Sequence, residues 1–315
     1  MMEFRTPVDI PNDIPAFSLD SHVLLVGSCF VEHIGRRMQD CLPEGQVVVN
    51  PMGVLYNPES IRQILLGLMC NEMPWADKNF EGRDGLWHNW MCSTLFSAHT
   101  SAELERTLQK QWQKAAHILQ HKAPRIVTTW STDMVYRIEG EVVANCHKEP
   151  GHRFVQEEID YDEMVHSWKS LCTMLQERNA SMLFTLSPYR YLKQGLTAGG
   201  ASKARLRHAI DTLCRTDRQH CHYFPAYEIV MDELRDYRFY DRDMLHPSEV
   251  AVDYIWERFV ERSFTPELKC FAKEKQNLMR DLHHRPLHPE SEATKAFVQR
   301  CEERKSEFIR RWGMW

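Results

Sequence analysis

Five short apolar runs, each followed by a stretch of helical periodicity, narrow the fold of this chain more than any other feature. The runs cover 22–26, 46–49, 125–130, 181–186 and 221–224. Apolar runs of this length, without strict alternation, mark strands buried on both faces, as in parallel sheets. The first, His22-Val23-Leu24-Leu25-Val26, ends at Gly27 and leads into 30–41, where Val31, Ile34 and Met38 share a helical face. In 58–70, Ile61, Ile64, Leu65 and Leu68 form a second such face. Further helices are expected over 101–121, 161–178, 202–214, 227–234 and 248–262, and a hairpin over 134–144 around Glu139-Gly140. Strands alternating with helices predict an α/β protein, a three-layer α/β/α sandwich on a mostly parallel five-stranded sheet.

Residues 1–262 read as this α/β domain, with a mostly helical insertion at about 59–121. Part of that insertion, 71–100, is irregular and carries Trp75, Trp87 and Trp90. From 263 to 315 the composition turns charged and reads as a helical extension.

Composition excludes several function classes. Lys and Arg number 39 against 44 Asp and Glu, a net charge of −5, which argues against a nucleic-acid partner. No apolar stretch is long enough for a membrane span, so no membrane partner is expected. The first residues lack a basic start followed by an apolar run, so no secretory leader is expected. The ten cysteines form no C-x-x-C pair. Reduced thiols in the cytoplasm are the simplest reading, with no cofactor and no metal. His117 and His121 have the spacing of a helical metal pair, but a solvated face explains them better.

Two local signals carry chemistry. One is Gly27-Ser28-Cys29-Phe30 at the first strand-to-helix turn; the other is Asp243-x-x-His246 before the helix at 248–262. A nucleophile at such a turn projects from the sheet edge, next to backbone N–H groups and the positive end of a helix. A histidine must take its proton and a carboxylate must hold the imidazole, and Asp243-x-x-His246 supplies both.

The segment Leu25-Val26-Gly27-Ser28-Cys29-Phe30-Val31-Glu32 resembles the signature of the GSCFA-domain family, with Val31 where the family name has alanine. The resemblance runs over most of 23–260. It includes the stretches 50–58 (Asn-Pro-Met-Gly-Val-Leu-Tyr-Asn-Pro), 143–148 (Val-Ala-Asn-Cys-His-Lys), Ser187-Pro188-Tyr189-Arg190 and Asp243-Met244-Leu245-His246-Pro247-Ser248. That family is similar to the SGNH (GDSL-like) esterases and lipases. The resemblance implies a flavodoxin-like sheet order and acyl-ester hydrolysis or acyl transfer.

Aligned with Gly-Asp-Ser-Leu, the nucleophile position falls on Cys29, with Ser28 as the alternative. The helix start and a nearby His246 are expected to lower the thiol pKa. Oxyanion and substrate contacts are expected from Gly53, from Asn145 or Asn57, and from His147 and Arg190. Ser131-Thr132-Asp133 stands where family members commonly carry Gly-Thr, and an inward Asp133 would oppose a negative transition state. Three readings follow: a hydrolase of a small-molecule or carbohydrate ester, an acyltransferase with the same site, or a non-catalytic binding protein on a decayed esterase fold.

Overall fold

The computed structural model describes residues 5–284 and 290–314. In chain order they form β1 (Val23–Gly27), α1 (Cys29–Cys41), β2 (Val47–Val49), α2 (Pro58–Cys70), β3 (Asn79–Glu81), β4 (Trp87–Asn89), α3 (Ser101–Gln120) and β5 (Arg125–Trp130). Next come β6 (Met134–Ile138), β7 (Glu141–Val143), β8 (Val155–Glu158), α4 (Tyr161–Glu177), β9 (Ser181–Leu186), α5 (Leu196–Thr216) and β10 (Cys221–Phe224). A short α6 (Ala226–Glu228) passes into a π-helical stretch over Ile229–Leu234, followed by α7 (Glu249–Ser263), α8 (Pro266–Leu282) and α9 (Glu292–Trp312).

The five apolar runs form one parallel sheet in the order β10-β9-β5-β1-β2. Counted by appearance this is 2-1-3-4-5, the flavodoxin-like order, whose ligand crevice lies where neighbouring connections diverge. Here that point is the carboxyl ends of β1 and β5. Successive side chains face opposite layers. Leu24, Val26, Ile126, Met182 and Phe184 join the core formed with α2 to α5. Val23, Leu25, Val127 and Leu183 join the core formed with α1, α7 and α8. The predicted three-layer sandwich is the observed one.

Gly27 is fixed by the sheet itself. A Cβ there would lie 2.5 Å from the Thr129 carbonyl oxygen on β5, so only glycine lets the two strands meet at the crevice.

The 59–121 segment supplies α2 and α3 to a covering layer, and the stretch between them carries the β3–β4 hairpin. After β5 the chain forms a separate antiparallel sheet, β7-β6-β8. Its edge strand β8 (Val-Gln-Glu-Glu) is exposed along its length and has no apolar alternation to announce it. Helix α5 starts at Leu196, ahead of the expected 202, despite Gly199 and Gly200. Gly199 is needed there because a Cβ would meet the Tyr191 carbonyl at 2.6 Å. The charged extension folds back: Leu268 and Phe271 enter the core beside α1, and Lys275 Nζ donates to the Leu42 carbonyl at 2.6 Å. Among the described residues no helix is long and apolar enough to cross a membrane.

Candidate active site

The turn from β1 into α1 is clamped from the next crossover. Asn50 Oδ1 accepts the Gly27 N–H at 2.9 Å, and the Asn50 N–H donates to the Leu25 carbonyl at 2.8 Å. Asn50 does this at φ 42°, a left-handed conformation that asparagine tolerates better than most residues. Ser28 is the N-cap of α1 and its N–H donates to Thr129 O at 3.2 Å. Its side chain is fully buried and Oγ has no partner among the described residues. Cys29, the first residue of the helix, is only partly buried and opens into a cavity. Of the two, Cys29 lines the cavity and the buried Ser28 does not.

That cavity has a volume of about 350 Å³. Cys29 reaches it from α1, Asn57 from the start of α2, Tyr136 from β6, Asn145 from the chain after β7, and His246 from the loop before α7. The small β7-β6-β8 sheet therefore walls a site built on the large one.

His246 is held from several sides. Its Nδ1 donates to Asp243 Oδ2 at 2.5 Å, while Asp243 Oδ1 accepts the N–H groups of Leu245 and His246, both at 2.9 Å. Those bonds, led by the His246 backbone N–H and followed by its ring, pull the Asp243 carboxyl down to about 2. The Arg190 N–H donates to the Leu245 carbonyl at 3.0 Å, and the Tyr189 ring lies against the imidazole at 4.3 Å. With Nδ1 donating to a carboxylate, Nε2 is left as the acceptor. Among the described residues no hydrogen bond joins Nε2 to Cys29; the two groups share a cavity rather than a bond.

The thiol differs from expectation. Burial pushes the Cys29 thiol up, and the Glu32 carboxylate one helical turn on pushes it further. The N–H groups of Phe30 and Cys29, and the more distant Lys203, pull the other way and are outweighed. A helix start does not yield a ready thiolate when its first turn also carries a carboxylate.

Both candidate amides line the cavity, and both have their oxygen engaged elsewhere. Asn57 Oδ1 caps α2 by accepting the Ser60 N–H at 2.8 Å; Asn145 Oδ1 accepts the His147 N–H at 2.8 Å. Each NH2 group remains a donor, and neither has a protein acceptor among the described residues.

Other expected contacts lie elsewhere. The Gly53 N–H is taken by Asn50 O at 2.8 Å, and its positive φ of 76° sits beside Ser93, whose Oγ would be 2.0 Å from a Cβ. That glycine serves a turn and its packing, away from the cavity lining. His147 is buried among Phe80, His88 and Trp90, with Nε2 donating to the Asn89 carbonyl at 2.8 Å. Burial drives its pKa down to about 4, so it is a neutral structural histidine outside the cavity lining. The Arg190 guanidinium rests on Met231 Sδ at 2.8 Å, also outside the lining.

Asp133 turns away from the cavity and accepts from Arg205 Nε at 2.5 Å, so it does not oppose an anion there. The Ser131 and Thr132 N–H groups both donate to Tyr56 O, at 2.9 and 3.1 Å. His117 and His121 approach each other at 3.3 Å between Nε2 atoms, with His22 stacked on His121, and the described residues hold no group fit for a metal ion.

Sequence reading missed the aromatic wall: Tyr56, Tyr136, Tyr189 and Tyr191 all line the cavity, with Cys146 and Lys193. Tyr56 and Tyr189 stand inside motifs already noted, but no spacing rule assigns a tyrosine to a cavity formed from separate loops.

The GSCFA family model matches residues 22–259, from the edge of β1 to within α7. The chain belongs to the GSCFA family. The matched region contains every residue of the cavity lining. No curated protein matches the chain.

Proposed function

We propose that this GSCFA protein is an acyl-ester hydrolase of SGNH-like type that works through Cys29. One observation carries the reading: Cys29 at the start of α1 and His246, held by Asp243, line one cavity although far apart in sequence. His246 Nε2 takes the thiol proton as Sγ attacks the ester carbonyl, which fits a thiol that burial keeps protonated. The Cys29 N–H and the NH2 groups of Asn57 and Asn145 stabilise the oxyanion. The alcohol leaves with the proton carried by His246, giving a thioester on Cys29. Water, deprotonated by His246, then releases the acid and restores the thiol. Asp243 orients the ring and stabilises the imidazolium.

Acyl transfer follows from the same site if an acceptor hydroxyl replaces that water. The aromatic walls favour this second reading, because tyrosine faces can hold an organic acceptor. The departure at 131–133 gives no support to a decayed, non-catalytic site, since Asp133 is paired with Arg205 away from the cavity.

The test is steady-state cleavage of a short-chain aryl ester. Cys29→Ala and His246→Ala should each lose at least about tenfold in kcat/KM, while Ser28→Ala, if folded, retains turnover. Unchanged turnover in His246→Ala would remove that ring from the mechanism. Acceptor-dependent product distinguishes transfer from hydrolysis.

A further inference from the structure

We propose that the cavity takes an anionic substrate, an ester bearing a carboxylate or phosphate group, read by Lys193 at its edge. The substrate class rests on the ester-hydrolase reading above, while the charge argument stands on the lining itself. Among the described residues no Asp or Glu side chain lines the cavity, and Lys193 is the one lining side chain with a permanent charge. Lys193 lies in the loop joining β9 to α5, and Nζ reaches across to the Tyr136 hydroxyl on β6 and sits 4.7 Å from that ring.

Among the described residues Lys193 makes no ion pair; its Nζ is held by the Tyr136 hydroxyl and ring. A hydroxyl and an aromatic face hold an ammonium without neutralising it. The remaining polar groups are also suited to an acceptor-rich ligand, since the Asn57 and Asn145 amides present donors. Two carboxylates that act on lining residues are committed: Asp243 to His246, and Glu32 towards Arg36 and Asn50. An anion entering here meets one ammonium and several donors, whereas a cation meets no lining carboxylate among the described residues.

The test uses a charge-matched pair of alkylating reagents on Cys29, iodoacetate and iodoacetamide, in the full-length protein. The rate ratio is compared with that of a small free thiol in the same buffer. For illustration, Coulomb's law for a unit charge at about 7 Å and a dielectric of about 40 gives roughly sevenfold in rate, less with salt screening. The wild type should therefore favour iodoacetate by about three- to sevenfold over the reference thiol. Lys193→Gln should remove most of that preference, and Lys193→Arg should keep it. A ratio equal to the free thiol, or one unmoved by Lys193→Gln, overturns the proposal.

Ester turnover forms a separate arm, with 4-acetoxybenzoate, 4-acetoxyphenyl phosphate and neutral methyl 4-acetoxybenzoate. Each kcat/KM is divided by the ester's own hydroxide rate. Preference for the carboxylate or the phosphate ester, lost in Lys193→Gln, identifies the anion. If none of the esters turns over while the alkylation ratio behaves as stated, the acyl chemistry fails and the anion site stands.

Discussion

Lys203 offers a quantitative check on how the site is built. It projects from α5 into the interior, 5% exposed, and its Nζ donates to the Ser187 carbonyl at 2.7 Å. Ser187 begins the loop whose Tyr189 ring meets His246 and whose Arg190 N–H holds Leu245. Burial first, then the nearby Arg190, brings the Lys203 pKa from its ordinary 10.5 down to about 7. Between those two values the unfolded chain holds a proton that the folded chain has released. Stability therefore rises with pH across that window, by up to about 1.4 kcal/mol per unit. Below about pH 7 both states are protonated and the whole cost of the buried ammonium, on the order of 5 kcal/mol, is present.

Lys203→Met removes the titration and keeps most of the volume. Urea unfolding of both proteins at pH 7 and pH 9 cancels the other titrating groups in the difference. The wild type should gain about 2 kcal/mol on the variant over that interval. At pH 7 the variant should be at least as stable as the wild type, since it loses one hydrogen bond but also a desolvated charge. Parallel stability curves would refute a lysine that sheds its proton near neutrality. A weakened Tyr189–His246 contact should appear in the same variant as a lower kcat with little change in KM.

Three further outcomes follow from the geometry. Gly27→Ala places a Cβ 2.5 Å from a β5 carbonyl and should cost about 2 kcal/mol or more, read as a fall in thermal midpoint; an unchanged midpoint contradicts the close approach. Glu32→Gln removes a charge that holds the Cys29 thiol up, so the pH midpoint for iodoacetamide labelling should move down, and a midpoint that stays put denies the carboxylate its influence. Asn57→Ala and Asn145→Ala should each lower kcat by up to about a hundredfold. Asn57→Ala should also lose about 1 kcal/mol of stability through its cap, a cost Asn145→Ala does not carry in that form.

The sheet was legible because its strands are buried on both faces and so read as plain apolar runs. Val23 to Val26 could hardly be anything else once Gly27 and a helix followed. The strand β8 was not, because Val155 to Glu158 lies at an exposed edge where no core imposes a pattern. At the site, Cys29, His246, Asp243, Asn57 and Asn145 were named from the sequence; four of them line the cavity, and the fifth, Asp243, is bonded to one of the four, His246. Gly53, His147 and Arg190 stood in equally suggestive motifs. Their partners, Asn50 and Ser93 for the glycine, Asn89 for the histidine and Met231 for the arginine, are set by tertiary packing. The direction of the Cys29 shift was missed because burial and Glu32 outweigh the helix start, a balance that motif spacing cannot weigh.

The most direct measurement is covalent. The protein is mixed with an activated aryl acetate, quenched in acid and digested, and the peptide containing residues 28 and 29 is read by mass spectrometry. The account predicts one acetyl group on the Cys29 sulfur in the wild type, formed far more slowly in His246→Ala. An acetyl group on Ser28, or ester turnover that never passes through either residue, would contradict it.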